Sequence, residues 1–233
     1  MMIRKANERG VVNLGWLHSF HTFSFGHYYD PKFMGYGPLR VINDDKIKGA
    51  GGFPTHGHAD MEIITYVVEG ALQHQDSDGN QSVIRPGEVQ KMSAGKGIRH
   101  SEFNDSKEQD VHLLQIWIEP DKRGIPSSYQ QKAFSALQSA ASELTLLVSP
   151  DGQGDSITIE QQAWLFGAKV APHKSIEHQL GNEHLGWLQI VKGSIDVNGE
   201  RLQSGDGAAF EVGERISMSG SEDAEILLFE MTP

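Results

Sequence analysis

From Leu39 onward the chain alternates short apolar segments with turn residues: LRVIND, MEIITYVVEG, ALQHQDSDGNQ, SVIRPGEVQKM and HLLQIWIEP. Segments of this length, separated by Gly, Pro, Asn and Asp, predict strands joined by tight reversals. Asp78-Gly79 and Pro86-Gly87 mark two of those reversals. Upstream, the stretch from Gly15 to Asp30 mixes Trp16, Phe20, Phe23 and Phe25 with turn residues and sustains no 3.6-residue period. It predicts strand and loop that cover a core or the mouth of a pocket. Pro120 ends the strand around Ile116 to Ile118, and YQQKAFSALQSAASE, rich in Gln, Ser and Ala, predicts a link holding a short helix. Strands then resume with LTLLVSP and SITIEQQAWLFGAKV. The whole pattern is that of an antiparallel sandwich or barrel.

An internal repeat divides the chain. ITYVVEGALQHQDSDGN aligns with LQIVKGSIDVNG: an apolar strand, Gly70 or Gly193, a second strand, then a Gly turn. Each is followed by a further reversal, Pro86-Gly87-Glu88 in one copy and Ser204-Gly205-Asp206 in the other. Two tandem copies of one β unit are the simplest account, with residues 1–134 holding the first and 135–233 the second. The copies differ in chemistry. The first continues to His100 and Glu102, whereas the second runs on as GAAFEVGERISMSGSEDAEILLFE, without a histidine.

Composition narrows the function classes. The 233 residues carry a formal net charge of −11, and no local Lys/Arg cluster offsets it, so direct contact with nucleic acid or an anionic membrane is not expected. There is no cysteine, which removes disulfides, thiolate ligands and cysteine nucleophiles, and any metal must rest on imidazole and carboxylate. The N-terminal MMIRKANERG is not followed by the apolar run of a signal peptide, and no stretch approaches a membrane span. A cytoplasmic location is the expectation.

The candidate chemistry lies in FPTHGHADMEIITYVVEG and PGEVQKMSAGKGIRHSE. Side chains alternate between the faces of a strand, so His56 and His58 share one face, as do His100 and Glu102. If both strands line one barrel, these four converge on a single ion. Glu62 is the rival carboxylate, and its preferred reading is a partner that orients a ligating imidazole. His74 is expected to bond its neighbours. His112 has parity opposite to Gln115 and Trp117. His173, His178 and His184 lack the same-face spacing of a second site. His21 and His27 precede the first barrel and are open between a place at its mouth and no role in it, and Gln115, a polar residue in an apolar strand, is either a group facing the lumen or a satisfied interior amide. The glycines of SAGKGIRH lack a dinucleotide fingerprint and are read as allowing a tight turn before the ligands.

An H-x-H followed by Glu and Gly, with a later P-G-x(n)-H, resembles the two motifs of the cupin superfamily. More narrowly, the chain resembles the pirin family. The similarity rests on W-x-x-x-x-H-x-F-S-F from Trp16 to Phe25, H-x-H at His56 and His58, T-Y-V-x-E-G from Thr65 to Gly70, and M-x-A-G-x-G-I-x-H-S-E from Met92 to Glu102. The resemblance implies an all-β chain of two tandem cupin (double-stranded β-helix, jelly-roll) barrels, the first holding metal and the second without it. It implies His56, His58, His100 and Glu102 as ligands and a monomer. Three imidazoles and a carboxylate suit one divalent ion, Fe(II) first by resemblance, with Ni, Cu, Co, Mn or Zn open. Four protein ligands leave two positions free on a six-coordinate ion, and an open position separates a catalytic from a structural site. Bacterial relatives of this kind imply quercetin 2,3-dioxygenase activity, in which a flavonol is deprotonated and its heterocycle cleaved by O2 with release of carbon monoxide. Glu102 is then the candidate catalytic base. Eukaryotic pirins imply the alternative, a non-catalytic co-regulator whose metal state governs protein interaction. An isomerase or sugar-binding cupin is a third possibility.

Overall fold

The computed structural model describes residues 1–139 and 141–233. Two seven-stranded and two four-stranded sheets make up the molecule. The first seven-stranded sheet runs, in spatial order, Ser128–Ala133, Glu88–Ser93, Glu62–Glu69, Val111–Ile118, Leu39–Ile47, Leu17–His21 and Gly10–Asn13. Its companion is the four-stranded sheet Gly52–His58, Ile98–Asn104, Leu72–Asp76 and Gln81–Ile84. The second half repeats this plan, with Ala224–Met231 between Leu185–Lys192 and Ala163–Val170 in the larger sheet and Arg215–Gly220 between Ser175–Gln179 and Ser194–Val197 in the smaller. The chain is therefore all-β, built as two cupin barrels. Among the described residues no helix is long and apolar enough to cross a membrane.

The repeat is visible in backbone geometry. Gly70 and Gly193 both have positive φ, +78° and +70°. In each case a Cβ would strike the backbone at the start of the last long strand of its barrel, at Asp110–Val111 and at Asp223–Ala224. A turn that needs both a left-handed residue and close backbone approach admits only glycine.

Strand parity sorts the side chains between two kinds of core. On Glu62–Glu69, Ile64, Tyr66 and Val68 join a large cluster that also contains Trp187, Leu227 and Phe229 from the second half, so the two large sheets pack face to face. The opposite faces line the lumens. The second lumen is packed largely by apolar side chains, among them Leu188, Ile190, Phe210, Ile216, Ile226 and Leu228, with Glu230, on the same face as Ile226 and Leu228, bonded to His178 and His184 at one end. The first lumen holds two separate apolar clusters, one around Leu17, Ile47, Val67 and Leu113, the other around Ile63, Met92 and Ile98. Between them lies a polar gap.

Two features differ from expectation. Among the described residues of the link the only helix is a short 3-10 helix at Ser135–Gln138, and Ser128–Ala133, within the stretch read as helical, is a strand antiparallel to Glu88–Ser93. Pairing with the open edge of the large sheet outweighs the favourable helix propensity of Gln and Ala, which amounts to only about tenths of a kcal/mol per residue. The remainder of that expected helix includes Ala140, which lies outside the described residues. The first strand, Met2–Arg4, pairs with Gly207–Phe210, so the N-terminus closes the edge of the second half's sheet.

One buried polar contact joins the halves: Tyr66 Oη donates to Glu225 Oε1 at 2.6 Å. Burial and the adjacent carboxylate push the Tyr66 phenol well above its usual range, keeping it a neutral donor. Tyr66→Phe leaves Glu225 buried without its donor and is expected to destabilise the fold by about 1–3 kcal/mol. Urea denaturation measures this; an unchanged midpoint would show that the contact contributes nothing.

Candidate metal centre

The H-x-H strand Gly52–His58 pairs with Ile98–Asn104, and the register sets His56 opposite His100. A bulge between His100 and Glu102 then places Glu102 opposite Phe53. The three imidazoles face one another, with ring centroids 4.5 Å (His56–His100), 4.8 Å (His56–His58) and 4.8 Å (His58–His100) apart. His56 Nδ1 lies 2.9 Å from the Pro54 carbonyl. A carbonyl only accepts, so Nδ1 carries the hydrogen and Nε2 presents a lone pair. That lone pair accepts a hydrogen bond from His100 Nε2, 3.0 Å away. Two nitrogens bound at right angles to one ion, each about 2.1 Å from it, stand about 3.0 Å apart. The imidazole pair therefore fits a metal, and the bond from His56 Nδ1 to a carbonyl is the support that ligating histidines ordinarily have.

Burial dominates the electrostatics. It holds His58 down to about 4 and His100 to about 3, and the neighbouring imidazoles add to the effect. Both rings are thus neutral, the form that binds metal.

Glu102 is 3% exposed, and its carboxylate is drawn toward the large sheet. Gln115 Nε2 donates to Oε1 at 3.1 Å and Oε2 at 2.9 Å, while Thr65 Oγ1 lies 3.5 Å from Oε1 and 3.2 Å from Gln115 Oε1. Gln115 is thus the lumen-facing amide that its strand suggested. Ligand atoms of His56, His58 and His100 lie within 4.8 Å of one another, and so do those of His74, His100 and Glu102. The two groups share His100. His74 meets the expectation of a neighbour bond, Nε2 lying 3.2 Å from Asp76 Oδ2, but it also stands beside the site, opposite Glu102 in register.

Glu62 does not orient an imidazole. It shares parity with Ile64 and Tyr66 and faces away from the lumen, where Ser93 Oγ donates to its Oε2 at 2.9 Å and Lys91 Nζ lies 3.5 Å away. Burial raises this carboxyl, and the lysine charge works against the rise. Elsewhere, His112 lies 2.6 Å from Asp44, and His178 and His184 both bond Glu230 at 2.7 Å.

A cavity of about 440 Å³ opens beside the imidazoles, within the roughly 300–1,000 Å³ of small-molecule sites. Its walls include His56, His58, His100 and Glu102, and both His21 and His27 reach it. Asn43 and Asp45 also line it and are absent from the sequence-based set. Their signal was available: they share parity with Val41 and Ile47 on one strand, placing two polar residues on a lumen face. Burial, with the charges of Asp44 and Glu102, pushes the Asp45 carboxyl up to about 7, although the Ser19 hydroxyl pulls it down.

A barrel with three convergent imidazoles, a neighbouring carboxylate and an adjoining cavity defines the class: a cupin with a metal-binding group. The family profile described as Pirin matches residues 3–118, and that described as a quercetinase C-terminal cupin domain matches residues 146–231. The chain is 47% identical over 231 residues to the quercetin 2,3-dioxygenase of Escherichia coli K12, covering 99% of this chain and 98% of that one. It superposes with TM-score 0.94 and 46% identity on the bacterial pirin YhhW of Escherichia coli in complex with nickel(II), covering 100% and 99% of the two chains. A quercetin 2,3-dioxygenase structure from Acinetobacter baumannii, 20% identical, shares the fold at TM-score 0.82 over 100% of this chain and 86% of that one. The protein belongs to the pirin family.

The depressed imidazoles make a stability prediction for the metal-free protein. The unfolded chain takes up protons at these residues near 6.5, while folded His58 and His100 resist until about 4 and about 3. Their stabilising contribution is full above about 6.5 and declines as pH falls from there toward the folded values. Thermal melts in that range are expected to give a shallower decline for His100→Asn than for the wild type. Parallel profiles would remove His100 as a source of the pH dependence.

Proposed function

We propose that the protein is a metal-dependent dioxygenase that cleaves a flavonol-like substrate with O2, at a site formed by His56, His58, His100 and Glu102. Residues 1–134 form the metal-binding barrel in this reading, and residues 135–233 form a barrel without metal. The observation that carries it is the 3.0 Å approach of His56 Nε2 to His100 Nε2 at the wall of a cavity large enough for a small aromatic molecule. The name of the 47% identical relative and the nickel(II) complex of a 46% identical one support both substrate class and metal dependence. Among candidate ions Fe(II) is the first choice, and nickel is the alternative that the relative favours.

The ion, when bound, supplies Lewis acidity for the substrate's enol oxygen and the electron-transfer capacity that reaction with O2 requires. The chain supplies the rest. His56 and His58 hold one edge of the site from a single strand, and His100 holds the facing edge. Glu102 is the base that takes the substrate hydroxyl proton. Gln115, donating to both carboxylate oxygens, orients that base and releases it when its bonds exchange. Phe25, Phe53, Ile63 and Trp117 line the cavity and keep bulk water from the reacting centre.

Protein reconstituted with metal is expected to bleach the flavonol absorbance band in the presence of O2. His56→Ala and Glu102→Ala should abolish the bleaching, and Gln115→Leu should lower the rate by about 10–100-fold. Elemental analysis of the His100→Ala variant should show loss of the bound ion. Full metal content in that variant refutes the ligand set. A full metal complement without turnover under any of several ions favours the regulatory reading, in which the metal state governs protein contacts.

A further inference from the structure

The polar gap in the first lumen is an ordered row. Cross-strand register places His21 opposite Asn43, Asn43 opposite Gln115, Gln115 opposite Thr65 and Thr65 opposite Gln90. Residues directly opposite one another point to the same face, so the row crosses five neighbouring strands of the large sheet. Gln115 and Thr65, near its middle, are occupied with Glu102. Asn43 and His21, on successive strands toward the cavity, are not: Asn43 Oδ1 and both ring nitrogens of His21 are buried without any partner. Asp45, beside Asn43 on the same face, has an unpartnered Oδ1 as well. Strands are spaced about 4.8 Å apart, so Asn43 lies about 5 Å and His21 about 10 Å from the Gln115–Glu102 pair along the row.

A second path joins the same two ends. His58 meets Trp117 edge-on at 4.9 Å, Trp117 meets Phe25 at 5.3 Å, and Phe25 meets His21 at 5.2 Å between ring centroids. All of these residues line the one cavity. An aromatic strip and a polar row thus both run from the candidate metal ligands to His21. Buried polar atoms without partners are exceptional in folded proteins and call for an explanation. The second barrel, with the same fold, fills the corresponding space with apolar side chains.

We propose that His21, Asn43 and Asp45 form a hydroxyl-recognition subsite for the end of the substrate remote from the metal ligands. It rests on the metal-site reading above and sharpens its substrate class. The ligand is a flat aromatic molecule, about 10 Å long to match the row, that lies along Trp117 and Phe25. It carries hydroxyl donors beyond its chelating end, because Asp45 Oδ1 and the Asn43 carbonyl accept hydrogen bonds, while neutral His21 can accept or donate. A ligand without those hydroxyls leaves the three residues unpaired and binds more weakly.

The test is anaerobic calorimetry on nickel(II)-loaded protein with two probes, quercetin and 3-hydroxyflavone, which share the chelating group and differ in the remaining hydroxyls. Wild-type protein is expected to bind quercetin at least about tenfold more tightly. His21→Phe and Asn43→Leu should each raise the Kd for quercetin about tenfold and leave that for 3-hydroxyflavone within about threefold, and His21→Gln should restore much of the preference. A loss of packing alone would weaken both probes equally. If Asn43→Leu fails to fold, the two His21 variants decide the matter at the far end of the row. An unchanged preference in the folded variants overturns the subsite and leaves the dioxygenase reading intact. A preference that collapses as expected, without O2-dependent bleaching by the wild type, keeps the subsite and removes the dioxygenase. Binding of neither probe overturns both.

Discussion

A carboxylate inside a β-barrel must be compensated, and here the compensation is the pair of hydrogen bonds from Gln115 to the two oxygens of Glu102. Without them a buried carboxylate would lack the hydrogen bonds that offset its loss of water. The bonds also fix where Glu102 stands: against the large sheet, in reach of His100 and His74, while His56, His58 and His100 form their own group. The two groups overlap at His100, and Gln115 bonds the carboxylate of one of them.

The same constraint explains the contrast between the barrels. Both have the same sheets and the same left-handed glycine at the same turn. In the second, the positions matching that row are apolar, Leu188, Leu228 and Ala208 among them, and they belong to one continuous cluster. In the first, those inward positions include His21, Asn43, Gln115, Thr65 and Gln90, and the apolar filling is split in two. Polar side chains cannot pack to hydrocarbon density without partners. The cavity beside the imidazoles is lined by His21, Asn43 and Gln115 of that row, and the two large sheets share the core between the barrels.

Much of this is legible from residues alone. Strand parity pairs His56 with His58 and His100 with Glu102, the glycine repeat marks the duplication, and Gln115 stands out in an apolar strand. Strand parity reaches beyond the histidines. Applied to LRVINDDKI it puts Asn43 and Asp45 on the lumen face, and applied to EIITYVVE it turns Glu62 toward Ile64 and Tyr66, away from any imidazole. What parity cannot supply is which strands are neighbours. The placement of His74 beside Glu102, the capture of Ser128–Ala133 by a sheet edge and the pairing of Met2–Arg4 with the second half all depend on contacts distant in sequence.

The most direct measurement is anomalous diffraction from crystals of the protein loaded with a divalent metal. The account predicts one strong peak in the first barrel, bonded to His56 Nε2, His58 and His100 Nε2, with Glu102 turned toward it and none in the second barrel. A peak bonded to His74 in place of His56 and His58, or one seated in the second barrel, would contradict it.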